Sequence, residues 1–231
     1  MMNEKHWIDS FLHYRTDIGD GVRTGLCFRN CSSQCKQFCL PKNSLREHDY
    51  FGDSLEQKEY SVKELLRYLE EEKKLMPSQN LGITFMGQEP LLDYWFCREL
   101  AQGISDLGMS LQIYTCGLCD PSDYKSISDW CDLFYFRMFS PIAGIRPPIA
   151  NFDFERVWSN LMELEYCKIP YRLLIPVVKG LNVGVADGFS GLATQLHSLK
   201  SVVLDFSHSG FCAEEIEEFR YHFLKRCVVL Y

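Results

Sequence analysis

Apolar and polar residues follow two alternating patterns along this chain. Short runs rich in β-branched and aromatic residues, apolar almost throughout, are typical of parallel strands that are covered on both faces. These runs predict strands over residues 23–29, 82–86, 110–115, 132–138, 171–178 and 201–206. Because segments with helical periodicity lie between them, the whole pattern predicts a parallel α/β sheet.

The predicted helices have clear apolar faces. The first begins at Ser61, where Glu64 three residues later completes an N-terminal capping box, and Val62, Leu65 and Leu69 then share one face. Six strand–helix units are fewer than the eight of a closed barrel, so an open doubly wound sheet and a partial barrel both fit. Further helices are predicted over residues 91–106, 121–129, 153–167, 184–198 and 213–226.

Charge and hydropathy narrow the possible partners. The 231 residues include 24 Lys and Arg against 31 Asp and Glu, a formal net charge of −7 without a basic run. This balance argues against a nucleic-acid partner. No stretch approaches the ~18 consecutive apolar residues of a membrane span, and the first residues lack the pattern of a signal peptide. We therefore expect a cytoplasmic protein without a membrane or nucleic-acid partner, and a single domain over residues 1–231.

The cysteines point to a metal centre. The total of eleven is odd, so a complete disulfide framework does not account for them. Cys31, Cys35 and Cys39 can give three thiolate ligands to an iron–sulfur cluster, whereas structural zinc usually needs four ligands. Cys27 is the candidate fourth zinc ligand, although it lies in a predicted strand. Inert burial is the other interpretation, because cysteines four residues apart share one face of a helix.

The unusual residues all follow predicted strands. In parallel α/β proteins, ligands bind at the carboxyl ends of the strands. The cysteine cluster, the stretches 87–90 and 115–117, and the stretch 207–210 follow the first, second, third and sixth predicted strands. A single rim should therefore carry the chemistry. Cys116 and Cys119 form a C-x₂-C pair there, either a redox or metal pair or two small residues packed under the rim.

Two segments resemble a known family. Residues 20–24 and 28–39 resemble the N-terminal region of radical S-adenosylmethionine enzymes, and most closely the glycyl-radical-enzyme activating enzymes of the pyruvate formate-lyase activase type. Phe38 holds the aromatic position before the third cysteine. Residues 83–92 resemble the family's glycine-glycine-glutamate-proline motif. The resemblance implies a partial (β/α)₆ TIM-like barrel of the radical S-adenosylmethionine type, with the cluster loop over residues 27–41.

The chain also departs from that family. The cysteine spacing is C-x₃-C-x₃-C, where C-x₃-C-x₂-C is usual. Gln88 replaces the second glycine of the strand-two motif, and residues 136–139 lack the usual aspartate and lysine. Residues 43–60 contain no cysteine, so no ferredoxin-like insert is expected and any cluster should be single.

The resemblance also implies cofactors and their contacts. Cys31, Cys35 and Cys39 would hold a [4Fe-4S] cluster whose open iron binds the amino and carboxylate groups of S-adenosylmethionine. A flavodoxin- or ferredoxin-type protein would supply the electron. The implied cofactor contacts are Phe38, Gly87, Gln88, Glu89, Thr115, Arg172 and His208.

Four of these contacts have a second interpretation. Glu89 could instead satisfy backbone donors at the next helix start, and Thr115 could cap the following element. Arg172 suits a carboxylate but is equally a candidate surface arginine. His208 is expected near adenine or ribose, or in solvent. Gly87 lacks a side chain and would let the cofactor approach the backbone closely.

The implied activity is hydrogen abstraction by a 5′-deoxyadenosyl radical. Because the predicted loops after the strands are short, the mouth of the barrel should be uncovered, which suits a polypeptide better than a small molecule. The expected partner is a glycyl radical enzyme or a peptide. The alternatives are a radical enzyme that modifies a ribosomal peptide or a small molecule, and a non-catalytic metal-binding or interaction protein that retains the fold.

Overall fold

The computed structural model describes residues 5–29, 58–75, 81–87, 89–144, 153–207 and 210–223, together with the backbone of 227–230. These residues contain nine strands that form one sheet. The strands are β1 (His6–Arg15), β2 (Arg23–Phe28), β3 (Lys58–Tyr60), β4 (Gly82–Gly87), β5 (Leu111–Thr115), β6 (Leu133–Arg137), β7 (Tyr171–Pro176), β8 (Leu199–Asp205) and β9 (Cys227–Leu230).

Six α-helices follow strands of this sheet within the described residues. They are α1 (Val62–Leu75), α2 (Tyr94–Asp106), α3 (Pro121–Ile127), α4 (Phe154–Tyr166), α5 (Ala186–Gln195) and α6 (Ala213–Tyr221). Short 3₁₀ turns cover Pro90–Asp93, Ser128–Trp130 and Val183–Val185. In this part of the chain, no helix is both long and apolar enough to cross a lipid bilayer.

The six predicted strands are confirmed as consecutive neighbours in the sheet. The strand order is β3-β1-β2-β4-β5-β6-β7-β8-β9, and every pair from β2 to β9 is parallel. The predicted helices are confirmed as well, with ends that differ by a few residues. This open, parallel arc is the expected partial barrel.

Three strands at the edges of the sheet were not predicted. β1 pairs antiparallel with both β2 and β3, and β9 extends the parallel arc beyond β8. Most residues of β1 are only half-buried, and β3 has three residues, so neither carries the apolar run of a strand covered on both faces. The extended conformation of such strands depends on pairing with a neighbouring strand.

The two faces of the sheet have different cores. Because side chains alternate along a strand, Leu26, Phe85 and Phe136 pack towards the helices in the main apolar cluster. A second cluster lies on the opposite face, which we call the inner face. It consists of Ile18, Cys27, Met86, Tyr114, Leu133, Tyr135, Leu174 and Val203.

The loop between β1 and β2 closes the inner face at the amino ends of the strands. Its Ile18 is fully buried in the inner cluster, and the Ile18 carbonyl accepts a hydrogen bond from Thr84 Oγ1 at 3.0 Å. The buried guanidinium of Arg23 donates to Thr84 Oγ1 at 2.7 Å and to the Asp20 carbonyl at 3.0 Å. The lower part of the inner face is therefore filled.

A buried carboxylate attaches α1 to the antiparallel edge. Glu72 is 4% exposed and accepts hydrogen bonds from Thr24 Oγ1 at 2.7 Å and from the Tyr68 hydroxyl at 3.0 Å. His13 Nδ1 lies 2.6 Å from the same carboxylate. These contacts connect α1 to both β1 and β2.

Replacement of Glu72 by Ala should lower the free energy of unfolding by about 2–4 kcal/mol, because it leaves several buried polar partners without an acceptor. Chemical denaturation followed by circular dichroism measures this loss. Glu71→Ala, on the exposed side of the same helix, should change it by less than about 0.5 kcal/mol. Equal effects of the two changes would show that the buried network contributes little.

Candidate functional site

A buried carboxylate organises the carboxyl ends of β4 and β5. Glu89 is fully buried, and its Oε2 atom accepts hydrogen bonds from Thr115 Oγ1 at 2.9 Å and from the Cys116 amide at 2.6 Å. Its Oε1 atom accepts from the Leu91 amide at 3.4 Å. Burial raises the pKa of Glu89, and these donors partly offset that rise. Both carboxylate oxygens thus have partners within the chain, as the structural interpretation of Glu89 expects.

Thr115 belongs to the same arrangement. Its hydroxyl is buried, lies 2.8 Å from the Tyr124 hydroxyl and accepts a hydrogen bond from the Gly117 amide at 3.1 Å. The side chain therefore lies on the helix side of the sheet and stabilises the turn after β5. The capping interpretation of Thr115 matches this geometry.

Gly87 has a structural reason for lacking a side chain. Its φ angle is +95°, and a Cβ atom there would lie 2.8 Å from both the amide nitrogen and the carbonyl oxygen of Phe28. The ends of β2 and β4 can approach each other only because this Cβ is missing. The missing side chain of Gly87 is thus explained by the close backbone of Phe28, and its expected contact with the cofactor stays a prediction.

Arg172 is not brought to this rim. It lies near the amino end of β7, where its Nη1 atom donates to Asp20 Oδ1 and to the Tyr135 hydroxyl, each at 2.7 Å. Glu89 and Thr115 lie at the opposite ends of the strands. The expected position of Arg172 at the mouth is therefore not observed.

A different arginine, Arg137, occupies the carboxyl end of β6. It is 4% exposed, and its Nη1 atom lies 3.5 Å from Cys116 Sγ. Its guanidinium carbon lies 6.0 Å from the centre of the Tyr114 ring, which places it on the inner face. From the sequence, the stretch around Arg137 was distinguished only by the missing aspartate and lysine of the family pattern. The strand alternation, which puts Tyr135 and Arg137 on one face, was the signal that could have found it.

Two stacked tyrosines form a floor below Arg137. The rings of Tyr114 and Tyr135 are nearly parallel, with an interplanar angle of 4° and centroids 4.5 Å apart. Burial raises the pKa of both phenols. At neutral pH the floor is therefore uncharged.

Three of the described cysteines near the rim are buried thiols. Cys27 is 1% exposed in the inner cluster, and burial raises its pKa to about 12. Cys116 and Cys119 are also buried. Burial raises the pKa of Cys119 as well. A thiol buried in this way is a poor metal ligand, so the geometry favours the packing interpretation for the C-x₂-C pair.

Several predicted site residues lie outside the described residues, namely Phe38, Gln88, His208 and the three expected ligands Cys31, Cys35 and Cys39. Most of the expected cluster loop and most of segment 43–60 lie outside them as well. β2 ends at Phe28 beside Gly87, so the chain enters the cysteine segment at the carboxyl rim. Three thiolates arriving there fit an iron–sulfur cluster, and the Arg137 guanidinium fits a carboxylate.

Comparison with known proteins agrees with this geometry. A family model described as a 4Fe-4S single cluster domain matches residues 18–122. The choline trimethylamine-lyase activating enzyme of Oleidesulfovibrio alaskensis is 21% identical over 249 aligned positions, which cover 85% of this chain and 79% of that enzyme. The resemblance to radical S-adenosylmethionine activating enzymes is confirmed. These matches support both expected cofactors, the [4Fe-4S] cluster and S-adenosylmethionine.

Two solved structures share the fold. A domain of a pyruvate-formate lyase-activating enzyme from Bacteroides vulgatus superimposes with a TM-score of 0.59 at 16% identity, over 65% of this chain and 99% of that domain. The structure of TYW1 with a lysine-pyruvate adduct gives a TM-score of 0.55 at 14% identity, over 87% of this chain and 72% of TYW1. Both support the partial barrel.

The cysteine assignment predicts which thiols hold iron. Cys31→Ala, Cys35→Ala and Cys39→Ala should each abolish the iron content of anaerobically reconstituted protein, because a cubane cluster needs all three thiolates. Cys27→Ala should keep about four irons per chain and is the matched control. Iron and sulfide analysis measures this. If Cys39→Ala retained its iron and Cys27→Ala lost it, the ligands would instead be Cys27, Cys31 and Cys35.

Proposed function

We propose that this chain is a radical S-adenosylmethionine enzyme that takes a hydrogen atom from a polypeptide, most simply from a backbone glycine of a glycyl radical enzyme. The main support for the proposal is that three features suited to this chemistry lie at the same rim. The entry to the cysteine segment, the Glu89 corner and the buried guanidinium of Arg137 all lie at the carboxyl ends of parallel strands. When bound, the cluster and S-adenosylmethionine would supply a 5′-deoxyadenosyl radical.

The residues of this chain would bind and shield the cofactor. Arg137 lies where it can pair with the carboxylate of S-adenosylmethionine, and burial from water strengthens such a pair. The stacked rings of Tyr114 and Tyr135 lie on the inner face next to Arg137 and would face the cofactor from below. Glu89 holds the turns after β4 and β5 in one geometry, so that it would act on the cofactor by positioning backbone groups.

The filled inner face supports a large substrate. Met86, Leu174 and Val203 are buried in the inner cluster, and Ile18 enters it from the amino end. In the described part of the chain these side chains fill the lower inner face, whereas a small substrate needs a pocket that buries most of its surface. The proline-containing segment 139–152 is described only to residue 144. A polypeptide would bring its own surface to complete the enclosure.

The proposed radical reaction also needs an electron donor and a reducing compartment. A flavodoxin- or ferredoxin-type protein is the proposed source of the electron. The seven described cysteines are free thiols, as in proteins of reducing compartments. We therefore place the reaction in the cytoplasm.

The two arginines provide a test of the cofactor site. Arg137→Ala should weaken S-adenosylmethionine binding to the reconstituted protein about tenfold, the effect of losing one charge-assisted hydrogen-bonded pair. Arg172→Ala, at the opposite ends of the strands, should leave the affinity unchanged. Equilibrium dialysis with labelled cofactor measures both. A tenfold loss of affinity in Arg172→Ala, with no loss in Arg137→Ala, would instead make Arg172 the partner of the cofactor carboxylate.

The activity itself is tested with a partner. With reductant and cofactor alone, the anaerobic enzyme should form 5′-deoxyadenosine slowly. Addition of the cognate glycyl radical enzyme should accelerate that formation and produce a glycyl radical signal by electron paramagnetic resonance. Fast turnover that is coupled to a small molecule, with no effect of the polypeptide, would contradict the proposal. A Cys31→Ala variant is the control for cluster dependence.

A further inference from the structure

A groove lies beside the mouth, outside the inner face. It has a volume of about 340 Å³ and is lined by residues of the loops after β7 and β8 and by α6. Lys179 follows the end of β7, and Phe211 precedes α6. The loops after β7 and β8 follow the carboxyl ends of parallel strands, and the Glu89 corner lies at the same ends.

The floor of the groove is aromatic and well packed. Phe219 is 4% exposed, and its ring lies 5.7 Å from that of Phe206, which in turn lies 5.0 Å from that of Phe211. Val183 adds an exposed apolar side chain to the lining. A floor of this kind suits an apolar or aromatic side chain of a ligand.

Most charged groups around the groove have a partner of opposite sign. Lys179 Nζ lies 2.8 Å from Glu215 Oε2 and 4.9 Å from the centre of the Phe211 ring. His222 Nδ1 lies 2.6 Å from Asp187 Oδ1. The Lys179–Glu215 pair carries no net charge, and both of its members line the groove.

Glu218 differs from these groups. It lines the groove and is exposed, and within the described part of the chain no hydrogen bond or ion pair involves its carboxylate. Its negative charge at the edge of an aromatic floor favours a cation over an anion. Lys and Arg side chains combine such a charge with an apolar stem that can cover the floor.

We propose that this groove receives a segment of the polypeptide substrate that carries a Lys or Arg beside an aromatic residue. The inference rests on the proposed function, because it names where the partner of the same site would dock. The basic side chain would pair with Glu218, and the aromatic ring would pack on Phe211 and Phe219. Docking there would bring the polypeptide to the rim without filling the mouth itself.

The test uses two labelled peptides and the full-length protein. A fluorescein-labelled Gly-Ser-Lys-Phe-Gly-Ser peptide should bind saturably by fluorescence anisotropy, and its Gly-Ser-Glu-Phe-Gly-Ser counterpart should bind at least tenfold more weakly. Glu218→Lys should weaken binding of the basic peptide at least tenfold. Glu217→Lys is the matched control, since Glu217 is exposed on the same helix and pairs with Arg220. It should leave the affinity unchanged.

Three results of the peptide assay would overturn the inference: no saturable binding of the basic peptide, equal affinities of the two peptides, or equal effects of Glu217→Lys and Glu218→Lys. Circular dichroism shows whether each variant keeps its fold. Peptide binding needs neither cluster nor S-adenosylmethionine, so the inference and the proposed function can fail separately. Radical formation with an unchanged KM for the partner in Glu218→Lys would refute the docking site alone. Peptide binding without radical formation would refute the function alone.

Discussion

The carboxylate of Glu89 joins the turns that follow two neighbouring strands. It is fully buried and receives donors from Leu91, Thr115 and Cys116. A buried carboxylate without such donors would be strongly unfavourable, so the turns after β4 and β5 are stabilised in one arrangement. The positions of the rim residues therefore depend on contacts between buried groups of the protein itself.

The alternation of side chains along parallel strands imposes a second constraint. One face of each strand is used for packing against the helices, and only the other face is available for chemistry. At the carboxyl ends that inner face presents Cys116 and Arg137, above the stacked rings of Tyr114 and Tyr135. At the amino ends the loop between β1 and β2 fills it. Chemistry is thereby confined to one end of the barrel.

The polar networks at the two ends differ in kind. At the amino end, Arg23 and Arg172 use their donors on groups of the chain itself, such as Asp20 and Thr84. These contacts hold the closing loop in place. At the carboxyl end, Arg137 lies beside the Cys116 thiol and above the Tyr114 ring.

The sequence by itself determined the architecture and the kind of chemistry. Strand and helix periodicities are local, so the six central strands and the helices could be read directly, and the crowding of Cys31, Cys35 and Cys39 indicated a cluster without any tertiary information. The half-buried strand β1 could not be read, because its conformation depends on pairing with β2 and β3. Only the tertiary structure decided which groups these side chains contact. It paired Arg172 with Asp20, placed Arg137 beside Cys116, and put the backbone of Phe28 where a Cβ atom of Gly87 would lie. These contacts join segments that are distant along the chain, so local periodicity and residue spacing do not reveal them.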